Sequence, residues 1–292
     1  MSAASAEDWA KARSFHHSRF SAELIATGRE QTVTVCLPAR ECAETVGEIV
    51  AALARLRGAG AIDEVVVVDA ASADGTAAVA ERAGARVLQE SELMPALGPV
   101  LGKGDAMWRA LSAIDSELVC FLDADTERFS PHFATGLLGP LVCEPGVSFV
   151  KAFYRRPFIQ GELHVPEGGG RVNHLMARPA LALFYPELAG VLQPLAGEVA
   201  ARRDLLEEIP FATGYGVEVA MLIDVWRRVG LGGIAQVDLD EHRNRNQALS
   251  ALRPMASTVL ATIARRLEAD GRLRAVGGAP VERPPLVTVA VA

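Results

Sequence analysis

The stretch Glu117-Leu118-Val119-Cys120-Phe121-Leu122-Asp123-Ala124-Asp125 decides the fold. After Glu117 come five apolar residues, then two carboxylates one residue apart. A run that is apolar at every position predicts a strand covered on both faces. Working outward, Thr32 to Leu37 and Glu64 to Asp69 repeat the pattern, the first ending at Pro38 and the second at Asp69. Ala85 to Leu88 is a shorter strand. Between the first two, Val46, Ile49, Val50, Leu53 and Leu56 recur at helical spacing until Gly58 and Gly60. A further helix is predicted over about Thr76 to Ala83, and downstream Ile234 to Leu239 reads as another strand. Strands alternating with helices imply crossover units, and so an α/β fold with a mainly parallel sheet flanked by helices.

The chain has 292 residues, with 29 Lys and Arg against 36 Asp and Glu, a net charge of −7. Half of it is apolar, which supplies a core and excludes a disordered chain. The acidic balance argues against a nucleic-acid partner held by the general surface. Cys36, Cys42, Cys120 and Cys143 form no CxxC pair and read as buried thiols. No run reaches the ~18 apolar residues of a membrane span, and the N-terminus lacks the apolar centre of a signal peptide. A cytoplasmic protein without stable membrane insertion is expected. Residues 1–30 read as an arm or short helix, 31–126 as a nucleotide-binding α/β half, 127–270 as a second half continuous with it, and 271–292 as an irregular tail.

Ligands in parallel α/β sheets gather beyond the carboxyl ends of the strands. Arg40 and Glu41 follow the first strand, Asp69 ends the second, and Asp123 and Asp125 follow the fourth. Two carboxylates one residue apart can hold one divalent cation together with a ribose or phosphate, and Mg2+ and Mn2+ favour such oxygen ligands. Elsewhere the same pair would be a solvated turn; the buried strand in front favours the site. The small residues after Asp69, through Ser72, let a base and ribose approach the backbone, although Ser72 or Asp74 can equally cap the next helix. Lys103, in Gly102-Lys103-Gly104 at a helix start, can reach a phosphate. Gly168-Gly169-Gly170-Arg171 offers backbone N–H groups and a guanidinium fork, an anion site or a plain flexible loop, with Lys151, Arg155 and Arg156 adding positive charge. His242, in His242-Arg243-Asn244-Arg245-Asn246, becomes a third metal ligand if the fold carries it to Asp123 and Asp125. Glu218 heads an apolar helix running to Trp226, where the dipole favours a carboxylate. His16-His17 and the paired arginines read as solvated faces. No GxSxG elbow or Cys–His arrangement supports covalent hydrolase chemistry.

Several stretches together resemble a known family. Val35-Cys36-Leu37-Pro38-Ala39, Val68-Asp69, Gly102-Lys103-Gly104 and Leu122-Asp123-Ala124-Asp125 resemble the GT-A glycosyltransferase core. Val150 to Pro157, Gly168 to Val172, Leu192-Gln193-Pro194-Leu195, Gly214 to Glu218, His242 to Arg245 and Glu282-Arg283-Pro284-Pro285 resemble the glucosyl-3-phosphoglycerate synthases and their mannosyl relatives, which are retaining enzymes. The resemblance covers about residues 30–290.

It implies a GT-A fold with a C-terminal acceptor-binding half. It also implies transfer of a hexose, glucose from UDP-glucose in the first instance, from a nucleotide diphosphate sugar to 3-phosphoglycerate or a similar small hydroxy acid. Pro38, Ala39, Arg40, Glu41, Asp69, Ser72, Lys103, Asp123 and Ala124 would bind the donor. Asp123, Asp125 and His242 would hold Mg2+ or Mn2+. Gly170, Arg171 and Asn173 would face the acceptor, and Leu192, Tyr215 and Glu218 the sugar. Asp125, Glu218 and Arg171 would stand at the reacting groups. The family implies a homodimer. Three positions depart from its pattern: Asn173 replaces the usual Thr, Ala196 a Ser, and Asp240 an Arg. These favour a second reading, a related transferase with another acceptor such as a natural-product intermediate. A third is a nucleotide-sugar-binding protein without turnover.

Overall fold

The computed structural model describes residues 3–160, 163–166, 168–243, 248–273 and 281–289. Its strands are β1 (Ser14–His16), β2 (Val33–Ala39), β3 (Glu64–Asp69), β4 (Arg86–Gln89), β5 (Leu118–Phe121), β6 (Phe149–Arg155), β7 (Phe158–Gln160), β8 (Leu163–Val165), β9 (Val199–Arg202), β10 (Phe211–Ala212), β11 (Ile234–Glu241) and β12 (Glu282–Arg283). The helices are α1 (Ala3–Arg13), α2 (Ala22–Gly28), α3 (Val46–Gly58), α4 (Thr76–Ala83), α5 (Lys103–Ala110), α6 (His132–Cys143), α7 (Arg178–Phe184), α8 (Arg203–Glu207), α9 (Val217–Val229) and α10 (Leu249–Ala269).

One eight-stranded sheet orders β1-β11-β6-β9-β5-β2-β3-β4, all parallel except β9, which runs against both β5 and β6. The continuous apolar runs form its middle because both faces are covered. Val35, Leu37, Val65 and Val67 pack on the face carrying α3 and α6, and Cys36, Val66 and Val68 on the face carrying α5 and α9. Along α3, the residues at helical spacing are all buried.

The chain runs from β2 through β3 to β4, then returns to place β5 on the other side of β2. That reversal of direction opens a crevice between the ends of β2 and β5, where ligands of such sheets bind. The direction of β9 completes it. A strand running against its neighbours begins where they end, so the residues just before Val199 arrive beside the ends of β5, β6 and β11.

The segment expected as an arm contains α1, β1 and α2. Trp9 donates its indole N–H to Ile234 O at 3.1 Å, and β1 pairs with β11 as an edge strand. At Gly139 a Cβ would lie 2.0 Å from the Phe20 ring, so only glycine lets this segment seat on α6. In the expected irregular tail, β12 pairs with β10, and Arg283 forks onto buried Asp105 at 2.6 and 2.9 Å. Cys36, Cys42 and Cys120 are buried as expected. Cys143, at the last position of α6, is exposed, which corrects that reading. Among the described residues, no helix is long and apolar enough to cross a membrane.

Candidate active site

Asp123 follows β5, and His242 follows β11 and is fully buried. The structure brings them together with a residue that the sequence did not single out, Glu198, just before β9. Their ligand atoms lie within 4.8 Å of one another. His242 Nε2 is 2.9 Å from Glu198 Oε1 and 3.1 Å from the Thr126 hydroxyl. The Tyr154 hydroxyl donates to Glu198 Oε2 at 2.7 Å, and its ring stacks on His242 at 4.6 Å. Burial works to raise the Glu198 carboxyl, but the charge and hydrogen bond of His242, with the Tyr154 hydroxyl, hold it well below the usual range. His242 Nδ1 is buried without a hydrogen-bond partner, and Glu198 Oε1 faces only the His242 ring. Buried polar atoms left this way are expensive. Two carboxylates and an imidazole fit Mn2+ or Mg2+, so the donor set is suited to the cation. Asp125 stands outside this compact group, exposed at the mouth. Its carboxyl is raised by partial withdrawal from water within the cleft and then by the facing Asp123 charge.

Beside the cluster, Lys103 Nζ at the start of α5 contacts Asp123 Oδ1 at 2.5 Å and Glu218 Oε1, at the head of α9, at 3.2 Å. Burial disfavours the Lys103 charge, but Asp123 and Glu218 outweigh it and raise the pKa. A Cβ at Gly197 would lie 2.6 Å from that ammonium and 2.7 Å from both Asp123 oxygens. Lys151, expected to add positive charge near the glycine triplet, is buried behind this group. It donates to Ala196 O at 2.7 Å, and burial pushes it down to about 8. Position 151 lies on the inward side of the pleat, which its charge concealed.

On the donor side, Asp69 is buried. Its Oδ2 accepts from Ser72 N at 3.1 Å, while its Oδ1 has no partner and remains available to a ligand donor. The loops after β2 and β3 are sewn into one rim. Glu41 N donates to the Ser72 hydroxyl, Ala73 N to Glu41 Oε1, and Ala43 N to Asp74 Oδ2, each at 2.8–2.9 Å. Glu41 and Ser72 therefore shape the crevice as well as bordering it. Glu41 and Ala71 take positive φ values of 53° and 54°. Pro38 and Ala39 close β2, Arg40 is exposed at the rim, and Ala124 is buried with its carbonyl accepting from the Thr45 hydroxyl at 2.6 Å.

The segment expected to face the acceptor makes internal contacts that the sequence did not reveal. Gly168 N and Gly169 N do not face outward; they donate to Val165 O and Arg156 O at 3.1 and 2.9 Å. A Cβ at either would meet its neighbours at 2.7 Å, so these glycines serve close packing. Gly170 has φ +66°, and the Arg171 guanidinium lies over the Phe158 ring at 5.0 Å. Asn173 is buried and bridges Leu192 O and Leu195 N at 3.3 and 3.4 Å, which fixes the loop beside it. Leu192 is half-buried and Tyr215 exposed. Behind the loop, a cavity of about 190 Å³ gathers Arg155, Arg156, Arg178 and His174 beside Leu192 and Gln193. Arg178 and His174 were missed by sequence reasoning. They reach the cavity because the chain is helical from Arg171 onward, with a π-helical turn over Asn173–Ala177 before α7. Asn244, Arg245 and Asn246 lie outside the described residues.

An acidic cation pocket at the reversal of a doubly wound sheet, with a basic cavity in the second half, marks a metal-dependent glycosyltransferase of GT-A fold. Residues 34–157 match the family model "Glycosyl transferase family 2". The chain is 45% identical over 245 residues to glucosyl-3-phosphoglycerate synthase of Mycolicibacterium smegmatis, covering 84% of this chain and 80% of that one. The chain belongs to the glucosyl-3-phosphoglycerate synthase family. Its fold matches the crystal structure of mannosyl-3-phosphoglycerate synthase from Rubrobacter xylanophilus with TM-score 0.90 and 44% identity, covering 99% of this chain and 100% of that one. It also matches glucosyl-3-phosphoglycerate synthase from Mycobacterium tuberculosis in complex with Mn2+, UDP-glucose and phosphoglyceric acid, with TM-score 0.80 and 39% identity over 91% and 93% of the two chains.

Proposed function

We propose that this chain transfers glucose from UDP-glucose to 3-phosphoglycerate with retention at the sugar carbon. The convergence of Asp123, Glu198 and His242 beside the Lys103–Glu218 pair carries the reading. Family membership and the ligands of the M. tuberculosis relative support it. Asp123, His242 and Glu198 would hold the cation, with Asp125 at the mouth reaching the diphosphate side. The cation held by these residues would neutralise charge developing on the leaving diphosphate. Asp69, with its unpartnered oxygen, receives a donor N–H or hydroxyl from the nucleoside. Glu218, held by Lys103, orients sugar hydroxyls. Arg171 and the basic cavity beside it hold the acceptor's phosphate and carboxylate, which supplies proximity. The acceptor oxygen attacks from the face that the diphosphate leaves, and a donor phosphate oxygen takes its proton.

The departures from the family pattern do not oppose a charged acceptor. Asn173 and Ala196 are buried in structural contacts, and the Asp240 carboxylate is turned toward His16 and His17. A mannosyl donor is the second reading, favoured by the match to the mannosyl enzyme. We place the protein in the cytoplasm as a homodimer; Leu175 and Leu183, strongly exposed on the helix after Arg171, support association. The test is mass spectrometry of products from UDP-glucose, GDP-glucose and GDP-mannose against 3-phosphoglycerate, glycerol 3-phosphate and an uncharged polyol. Proton NMR of the anomeric carbon reports retention. A product formed only with the polyol would refute the acceptor assignment.

A further inference from the structure

His16 and His17, read from sequence as a solvated face, meet Asp240 at the edge of the sheet. His16 Nε2 is 3.4 Å from Asp240 Oδ1, and His17 Nε2 is 2.8 Å from Oδ2. One ligand atom from each lies within 4.8 Å of the others. The two rings are 4.4 Å apart, and His17 stacks on His132 at 4.1 Å. His132 is itself fixed by a bond between its Nε2 and Leu239 O at 3.1 Å. The Ser18 hydroxyl lies 2.8 Å from His16 Nδ1, where it orients the ring and leaves Nε2 toward Asp240. Metal-binding histidines commonly have such a partner on their second nitrogen.

The backbone adds an independent observation. Asp240 has φ +66°, and the β11–β6 register breaks between Asp238 and Glu241. A non-glycine residue in the left-handed region persists where its surroundings over-determine it. Here the bulge turns the carboxylate back across the sheet edge to two imidazoles on β1 and the turn after it.

We propose that His16, His17 and Asp240 form a second divalent-metal site, outside the Asp123–Glu198–His242 cluster, that takes Zn2+ or a similar borderline ion. Two imidazoles and one carboxylate suit Zn2+, Co2+ or Ni2+, leave a position for water, and disfavour Mg2+. An ion there clips the N-terminal edge strand to the bulge of β11.

The test uses untagged full-length protein stripped with chelator, titrated with Zn2+ by calorimetry and with Co2+ by visible absorption. His242→Ala protein isolates this site by weakening the other cluster. It should retain one Zn2+ per chain, and adding His16→Ala and His17→Ala should weaken that Zn2+ by more than about 100-fold, beyond the loss typical of an outer partner. In otherwise unmodified protein the pair should reduce two equivalents to one. Asp240→Asn, whose side chain is at ease at positive φ, provides a variant that keeps the bulge and should weaken Zn2+ at least tenfold. Zn2+ affinity unchanged by these substitutions, or no stoichiometric Zn2+ in His242→Ala protein of native far-UV spectrum, overturns the proposal.

Discussion

Lys103 Nζ lies 2.5 Å from Asp123 Oδ1, so the first turn of α5 is tied to the end of β5 by one ion pair. The same ammonium reaches Glu218 of α9, and Gly197 packs against the pair with no room for a Cβ. One cation thereby sets the positions of two acids from distant parts of the chain.

Gly197→Ala should force Lys103 and Asp123 apart while leaving the sheet intact. A hydrogen bond between charged groups is worth about 1.5–3 kcal/mol. At ~1.4 kcal/mol per decade, kcat/KM should fall about 10- to 150-fold. Steady-state kinetics beside a far-UV spectrum checks this. Unchanged kinetics would show that the pair does not position Asp123.

Glu198 and His242 can be separated from the nucleotide contacts. Glu198→Gln keeps an acceptor for the Tyr154 hydroxyl but removes the charge facing His242. Mn2+ affinity should fall about 10- to 100-fold, whereas UDP affinity at saturating Mn2+ should barely move. Asp125→Ala should lower kcat with a smaller change in Mn2+ affinity, because Asp125 stands outside the compact group. Equal effects of both variants on the Mn2+ titration would contradict the separation.

Arg171→Ala should raise the KM for 3-phosphoglycerate about 10- to 150-fold, from a charge-assisted contact of roughly 1.5–3 kcal/mol. Lys at that position should restore only part, since the fork is lost. Arg178→Ala tests whether the basic cavity shares the anion. The donor KM should stay within twofold, on the order of 0.4 kcal/mol. If Arg171→Ala is silent, acceptor binding rests on other residues.

Acid should weaken the fold at a defined place. Arg29 grips both oxygens of Asp63 at 2.5 and 2.9 Å, and Val33 N donates at 2.7 Å. The Arg29 hydrogen bonds hold the Asp63 carboxyl below its usual value, with the Val33 amide adding to them against partial burial. A carboxyl whose pKa is depressed in the fold contributes stability above its unfolded value of ~3.9 and loses it as pH falls through the folded one. Asp63 is 42% exposed, so solvent screening limits the effect to roughly 0.5–1 kcal/mol. Denaturant unfolding of Asp63→Asn against wild type should show that gap at neutral pH and its closure below about pH 4. A gap that persists in acid would assign the effect to packing.

The strands β2, β3, β5 and β11 and the helices α3, α4 and α9 were legible because continuous apolar runs and helical spacing are local signals. The use of Asp123 and His242 in one place was legible through the family resemblance. Glu198 was not, since its meeting with Asp123 depends on the direction of β9, a four-residue strand containing two alanines. Nothing local marks such a strand or says that it runs against its neighbours. The burial of Lys151 and Asn173 was hidden for the same reason. A charge inside an apolar strand, or an amide at a helix start, looks exposed until the fold shows which way it points. The glycine triplet was read as a display of N–H groups, but Val165 and Arg156 carbonyls take two of them.

Because β9 is hydrogen-bonded to β5 on one side and β6 on the other, residues 31–126 and those that follow are a single piece of woven fabric. A hinge between them would have to tear a ladder of backbone bonds. Nor can either half be transplanted alone: cut between β5 and β9, residues 31–126 would carry a raw sheet edge, the surface on which unrelated chains stick together.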